Sequence, residues 1–86
     1  MMKRNIIGKR IKKARLSENP RATLKDLSAR LHILGISLSD SSIGKIEKSE
    51  RSVSDIQVAA FAKALKVNIN WLFEDDEKSG SDQDPR

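Results

Sequence analysis

Residues 23–51 read TLKDLSARLHILGISLSDSSIGKIEKSER, and the architecture turns on this stretch. Thr23 is suited to cap a helix, and Asp26 three residues later completes an approximate capping box. Leu24, Leu27, Leu31 and Leu34 then recur along one helical stripe. Gly35 is suited to a left-handed closure, with Ile36 folding back on the helix it ends. A polar cluster from Ser37 to Ser42, interrupted by Leu38, leads into SSIGKIEKS, whose only apolar residues are Ile43 and Ile46. A helix with so few apolar positions meets a core along a narrow line. The rest of its surface is left for something else.

Outward from this stretch, three more amphipathic segments are predicted and no sustained strand alternation. The first runs from Asn5 as a cap to Leu16, with Ile7, Ile11 and Ala14 on one face and Lys9, Lys12 and Lys13 turned away. It ends at SENPRA, where Pro20 disfavours helical geometry at Asn19. The fourth is capped by Ser54, with Gln57 at the box position, and carries Val58, Phe61, Ala62 and Leu65 on one side. A short fifth, opened by Asn68 or Asn70, holds Ile69, Trp71, Leu72 and Phe73. From Glu74 onward, EDDEKSGSDQDPR has almost nothing apolar to bury and is predicted to be disordered. The expected organisation is therefore one all-α domain at 1–73 and an acidic tail at 74–86.

The charge divides at the same boundary. The chain has 86 residues and a net charge of +5. Residues 1–73 carry 15 basic and 6 acidic side chains, net +9, and residues 74–86 carry 2 and 6, net −4. A basic body with an acidic tail suits a protein that meets a polyanion, although charge alone is equally compatible with a solvated surface. With no Cys and one His, neither a disulfide framework nor a zinc site is expected, and no cofactor or small-molecule ligand. His32 reads as a solvent-edge residue. No apolar run approaches the ~20 residues of a membrane span, and Lys3 and Arg4 precede no long apolar region, so a cytoplasmic protein is expected. Without a preorganised acid–base pair, an enzyme is not expected either.

A leucine-striped helix, a Gly-containing turn and a short, sparsely anchored helix together follow helix-turn-helix logic. The outer face of the second helix would enter the major groove. Ser41, Ser42 and Lys45 suit that face, since hydroxyls bond bases or phosphates and Lys reaches guanine O6 and N7. Small helical domains with other tasks carry similar stripes, and spacing leaves that alternative open.

The stretch from Ile7 to Phe73 also resembles the phage-repressor Cro/CI-type (XRE-like) helix-turn-helix family. The matching pieces are IGKRIKKAR, TLKDLSARL, SSIGKIEKSER and FAKALKVNINWLF. The more specific are the Ile-x-Lys-Ile-Glu core around 43–47 and the Ala-Leu-x-Val-x-x-x-Trp-Leu segment ending at Leu72. The resemblance implies a compact five-helix DNA-binding domain, usually dimeric, of the regulator type found in bacteria and their phages. It implies that Arg15 pairs with Glu47, that Asp40, Ser41, Gly44 and Lys45 face bases, and that Ser42 and Lys48 lie near phosphates. On charge grounds Lys25 and Arg51 join the phosphate contacts. The sequence departs from the family pattern at Leu24, where Gln is common, and from His32 to Ser39, which is longer than the usual turn. Helix two is therefore expected to extend by about a turn into a wider loop.

Two positions keep alternative readings. Asp40 either accepts from cytosine N4 or caps and complements the dipole of its helix. Gly44 either admits DNA close to the backbone or is tolerated on an exposed face. Trp71, Leu72 and Phe73 exceed what so small a body is expected to cover and are read as a partly intersubunit patch. The leading expectation is a homodimeric repressor reading a palindromic site on double-stranded DNA through residues 40–48. The alternative is a small antitoxin or anti-regulator that works mainly through protein–protein contacts.

Overall fold

Local signals written into the chain set the helix boundaries. In the computed structural model, which describes residues 7–74, five helices follow one another: α1 (Gly8–Leu16), α2 (Leu24–Ile33), α3 (Asp40–Glu47), α4 (Asp55–Leu65) and α5 (Ile69–Leu72). No strand occurs among the described residues. The predicted cap at Asn5, and the predicted tail apart from Glu74, lie outside them.

Capping boxes start α2 and α4. Thr23 Oγ1 accepts from the Asp26 N–H at 3.0 Å, and the Thr23 N–H donates back to Asp26 Oδ2 at 2.9 Å. Ser54 and Gln57 do the same for α4, at 3.2 and 3.1 Å. Each box satisfies two donors that a helix start otherwise leaves open. The backbone bond from Thr23, followed by its side-chain bond, holds the Asp26 carboxyl below its ordinary value of 3.8. Asn68 caps α5 by accepting from the Asn70 N–H at 2.8 Å.

Three helices close with the same pair of backbone bonds. At the end of α2, Gly35 N–H donates to His32 O and Ile36 N–H to Leu31 O, at 3.0 and 2.9 Å. At the end of α3, Ser49 and Glu50 donate to Ile46 and Lys45, and after α4, Lys66 and Val67 donate to Lys63 and Ala62. This closure needs one residue in the left-handed region. Gly35 takes it with φ 86°, but Ser49 (φ 63°) and Lys66 (φ 58°) take it without glycine's freedom.

The core joins the apolar stripes of all five helices. Ile7, Ile11 and Ala14 meet Leu27 and Leu31, Ile43 and Ile46, Val58, Phe61 and Leu65, and Trp71 and Leu72. Leu38 plugs the α2–α3 loop into this core, and the Ser28 hydroxyl donates to Leu38 O at 2.6 Å. The loop's extra length is thereby fastened to α2.

α1 braces both ends of the body. It packs on α3, α4 and α5, and Arg10 is buried with its guanidinium carbon 4.5 Å from the centroid of the Trp71 ring. Gly8 sits where a side chain has no room. A Cβ there would overlap the Ile46 carbonyl oxygen and come within 2.8 Å of the Glu47 carbonyl oxygen, both backbone atoms at the end of α3.

This packing narrows the expectation that Trp71, Leu72 and Phe73 form a partly intersubunit patch. Leu72 is wholly buried within its own chain, and Trp71 is buried there beneath Arg10. Phe73 alone of the three stays exposed, with Ile69 beside it on the same short helix also partly open. The small body covers more apolar surface than expected because a buried arginine serves as a wall over the indole.

Candidate nucleic-acid interface

α3 is held from one side only. Of its eight residues, Ile43, Ile46 and Glu47 are buried. Glu47 is the unusual member, because an ionised carboxylate in a core is costly unless it is paired and hydrogen-bonded. Its partner is Arg15 of α1. Arg15 Nε donates to Glu47 Oε2 at 2.8 Å, and Nη2 to Oε1 at 3.0 Å. The remaining nitrogen, Nη1, donates to Ala22 O at 2.9 Å in the α1–α2 loop. One planar guanidinium therefore ties α1, the loop before α2 and α3 together, which an ammonium could not do with the same geometry.

The N-terminal end of α3 is a small network of hydroxyls. Ser39 is the N-cap, its Oγ accepting from the Ser42 N–H at 3.1 Å. Asp40 is therefore not the cap. It is the first helical residue, exposed, with Oδ1 accepting from the Ser41 N–H at 2.9 Å. Its charge lies at the positive end of the helix dipole. Ser42 Oγ accepts from Ser39 Oγ at 3.1 Å and from Arg51 Nη1 at 2.9 Å. Ser42 and Arg51, nine residues apart, are thus brought to one point.

The open face of α3 borders a groove whose other walls are α1 and the start of α2. Asp40, Ser41, Gly44 and Lys45 line it from α3, Lys48 and Glu50 from the turn that follows, Lys12 and Arg15 from α1, and Leu24 from α2. It continues into a shallower depression at the N-terminus of α2, bounded by Arg21, Thr23, Lys25 and again Asp40. Lys45, Lys48 and Lys25 are exposed. Asp40, Ser41, Gly44, Lys45 and Lys48 thus share one surface, with Lys25 at its continuation, and Ser42 and Arg51 adjoin its α3 end.

Two neighbours of this surface escaped the sequence reading. The sequence places Lys12 on the outer face of the first helix and Arg21 in the SENPRA stretch that ends it. Both border the groove or its extension. Lys12 lies three residues before Arg15, hence on the same helical side, and that spacing was the available signal.

Leu24 has a definite place. It is half-buried, packs on the core, and its Cδ1 would lie 3.6 Å from a Cβ on Gly44. The apolar side chain that departs from the family pattern therefore forms the floor beneath the one α3 residue without a side chain. His32 is exposed at the far end of α2, beside Lys25, Ser28 and Ser39 on a separate depression.

Away from this surface a second fork-shaped pair stiffens the body. Arg30 Nη1 and Nη2 donate to Glu18 Oε2 and Oε1 at 2.7 and 2.8 Å, and Nη1 also reaches Ala64 O at 3.2 Å. The bond to Glu18 raises the Arg30 pKa above its already high ordinary value. No helix among the described residues is long and apolar enough to cross a membrane. Comparison with protein-family models, curated proteins and solved structures found no match for this chain.

Proposed function

We propose that the chain is a sequence-specific DNA-binding transcriptional regulator, working as a homodimeric repressor on a palindromic site. The observation that carries this reading is the mounting of α3. Two isoleucines and one paired glutamate hold it, while Ser41, Gly44, Lys45 and Lys48 are presented over a groove ringed by Lys12 and Lys25. In this reading α2 and α3 form a helix-turn-helix with an enlarged turn, and α3 lies in the major groove.

Lys45, with Ser41 beside it, reads base edges, and Asp40 restricts the first position to a base with an exocyclic amine. Lys25, Lys48, Arg51 and Ser42 take phosphates, which fixes register without carrying sequence information. The exposed Phe73 and Ile69 of α5 join two copies, placing their α3 helices about one helical turn, ~34 Å, apart.

A second reading has its own observation. Ile33 is 83% exposed and Ile56 72% exposed, apolar side chains that a partner protein would cover. A protein-interaction module would use them. Selection of bound sequences from random duplex DNA with the purified protein separates the two. Recovery of a symmetric motif supports the first reading. Recovery of no motif, together with a stable heterocomplex on co-purification, supports the second. Replacing Lys45, Lys48 and Arg51 together by Ala should abolish specific binding, and unchanged binding would remove α3 from the interface.

A further inference from the structure

The surface around α3 gathers several cationic side chains, and the chain carries its own candidate competitor. Lys12, Lys25, Lys45 and Lys48 line the groove and its extension together with Asp40 and Glu50, with Arg21 at the extension and Arg51 bonded to Ser42, so cations outnumber carboxylates there. Several of the body's carboxylates are committed elsewhere. Glu47 is held by Arg15, Glu18 by Arg30, and Asp26 by the Thr23 cap. Residues 75–86 contain Asp75, Asp76, Glu77, Asp82 and Asp84 against Lys78 and Arg86. They follow Glu74 directly after α5, which packs on α1, the helix that brings Lys12 to the groove.

We infer that residues 75–86 occupy the cationic groove between α1, α2 and α3 and compete there with nucleic acid. The inference rests on the DNA-binding reading for its consequence, though not for the contact itself. Reach permits it. Twelve residues extend to about 40 Å, and the described body is 34 Å along its longest axis. Tethering supplies the affinity that a short acidic peptide lacks. An attached segment acts at an effective concentration on the order of millimolar. Even a contact with a dissociation constant of ~0.1–1 mM then weakens apparent DNA affinity by roughly two- to tenfold. Because tail and duplex exclude each other, this factor is set by the tail's own contact and applies alike to random-sequence and specific DNA. A random-sequence duplex, held almost wholly through phosphates, reads it most directly.

The test uses the full chain and a full-length variant with Asp75→Asn, Asp76→Asn, Glu77→Gln, Asp82→Asn and Asp84→Asn. Two measurements are made on both proteins: backbone amide resonances without DNA, and affinity for a random-sequence duplex at low and high salt. The expected result is amide shifts clustered at Lys25, Ser41, Lys45 and Lys48, with about two- to tenfold tighter duplex binding by the variant that fades in high salt. Shifts confined to the far end of the body around Lys63 and Lys66, or none, would overturn the contact. Tighter binding without groove shifts would also overturn it, leaving only a change in overall charge. Equal affinities would overturn the competition. If the groove shifts appear but neither protein binds DNA, the contact stands and the DNA-binding reading fails.

Discussion

Alanine at position 44 separates the two reasons a glycine can stand in the middle of α3. Gly44 is the fifth of eight helical residues, and its φ is not in the left-handed region. A glycine there costs about 0.8–1.0 kcal/mol relative to alanine, because the unfolded chain has more freedom to lose. The space for a methyl group exists. The nearest atom to an added Cβ is Leu24 Cδ1 at 3.6 Å, an ordinary van der Waals contact. Nothing therefore offsets the helical gain, and Gly44→Ala should stabilise the fold by about 1 kcal/mol. For a domain of this size that raises the melting temperature by roughly 4–8 °C. If the groove wall of DNA approaches the α3 backbone at this point, the same methyl should weaken specific binding about tenfold, or ~1.4 kcal/mol. Thermal melting followed by circular dichroism, and fluorescence anisotropy on the selected duplex at fixed salt, read the two effects separately. A lower melting temperature would refute the packing described between α3 and Leu24. A higher one with unchanged affinity would refute close approach and leave Gly44 as a tolerated residue.

Other expectations follow from the helix ends and the buried pair. Glu47→Ala leaves the buried Arg15 guanidinium with Ala22 O but no counter-charge and should cost about 3–5 kcal/mol in urea unfolding; a loss below ~1 kcal/mol would show the pair to be screened by water. Lys66→Gly relieves a non-glycine residue from φ 58° and should gain ~0.5–1 kcal/mol, seen as a higher urea midpoint at constant slope. Gly8→Ala forces Cβ into the Ile46 and Glu47 carbonyls, and about 1–3 kcal/mol of destabilisation is expected; wild-type stability would mean that α1 does not approach α3 so closely. Because the folded Asp26 carboxyl is depressed below 3.8, its contribution is complete above that value and is lost as pH falls through the folded pKa. The stability difference between the parent and Asp26→Asn should therefore shrink on acidification below pH 3.8, and a pH-independent difference would contradict the capping box.

Much of this fold was legible because its signals are local. The capping boxes at Thr23 and Ser54, the leucine stripe of α2 and the closure at Gly35 each depend on residues within a turn of one another. What escaped the sequence was set by distant contacts. Ser49 and Lys66 adopt left-handed backbone with no glycine to announce it, because the segments that follow must turn back onto the core at those points. Asp40 and Ser39 are both good caps, and the backbone entering α3 decides for Ser39. Trp71 was read as surplus surface because no spacing shows that Arg10, sixty-one positions earlier, will lie across it. Of the candidate interface, the α3 residues and Lys25 were legible from pattern or resemblance. Lys12 was hinted at only by its spacing from Arg15, and Arg21 not at all, since the packing of α1 and its following loop brings them to the groove.

The one-sided attachment of α3 has a consequence for how this chain can change. Three of its eight residues are buried in the body, and the other five lie outside the core, although Ser42 also bonds Ser39 and Arg51. Those five positions can be rewritten without disturbing Ile43, Ile46 or the Arg15–Glu47 tie, provided each new residue still favours a helix. Directed substitution at 40, 41, 42, 44 and 45 should therefore yield folded variants with altered preferences far more often than changes at 43, 46 or 47. The fold behaves as a fixed handle carrying an exchangeable edge.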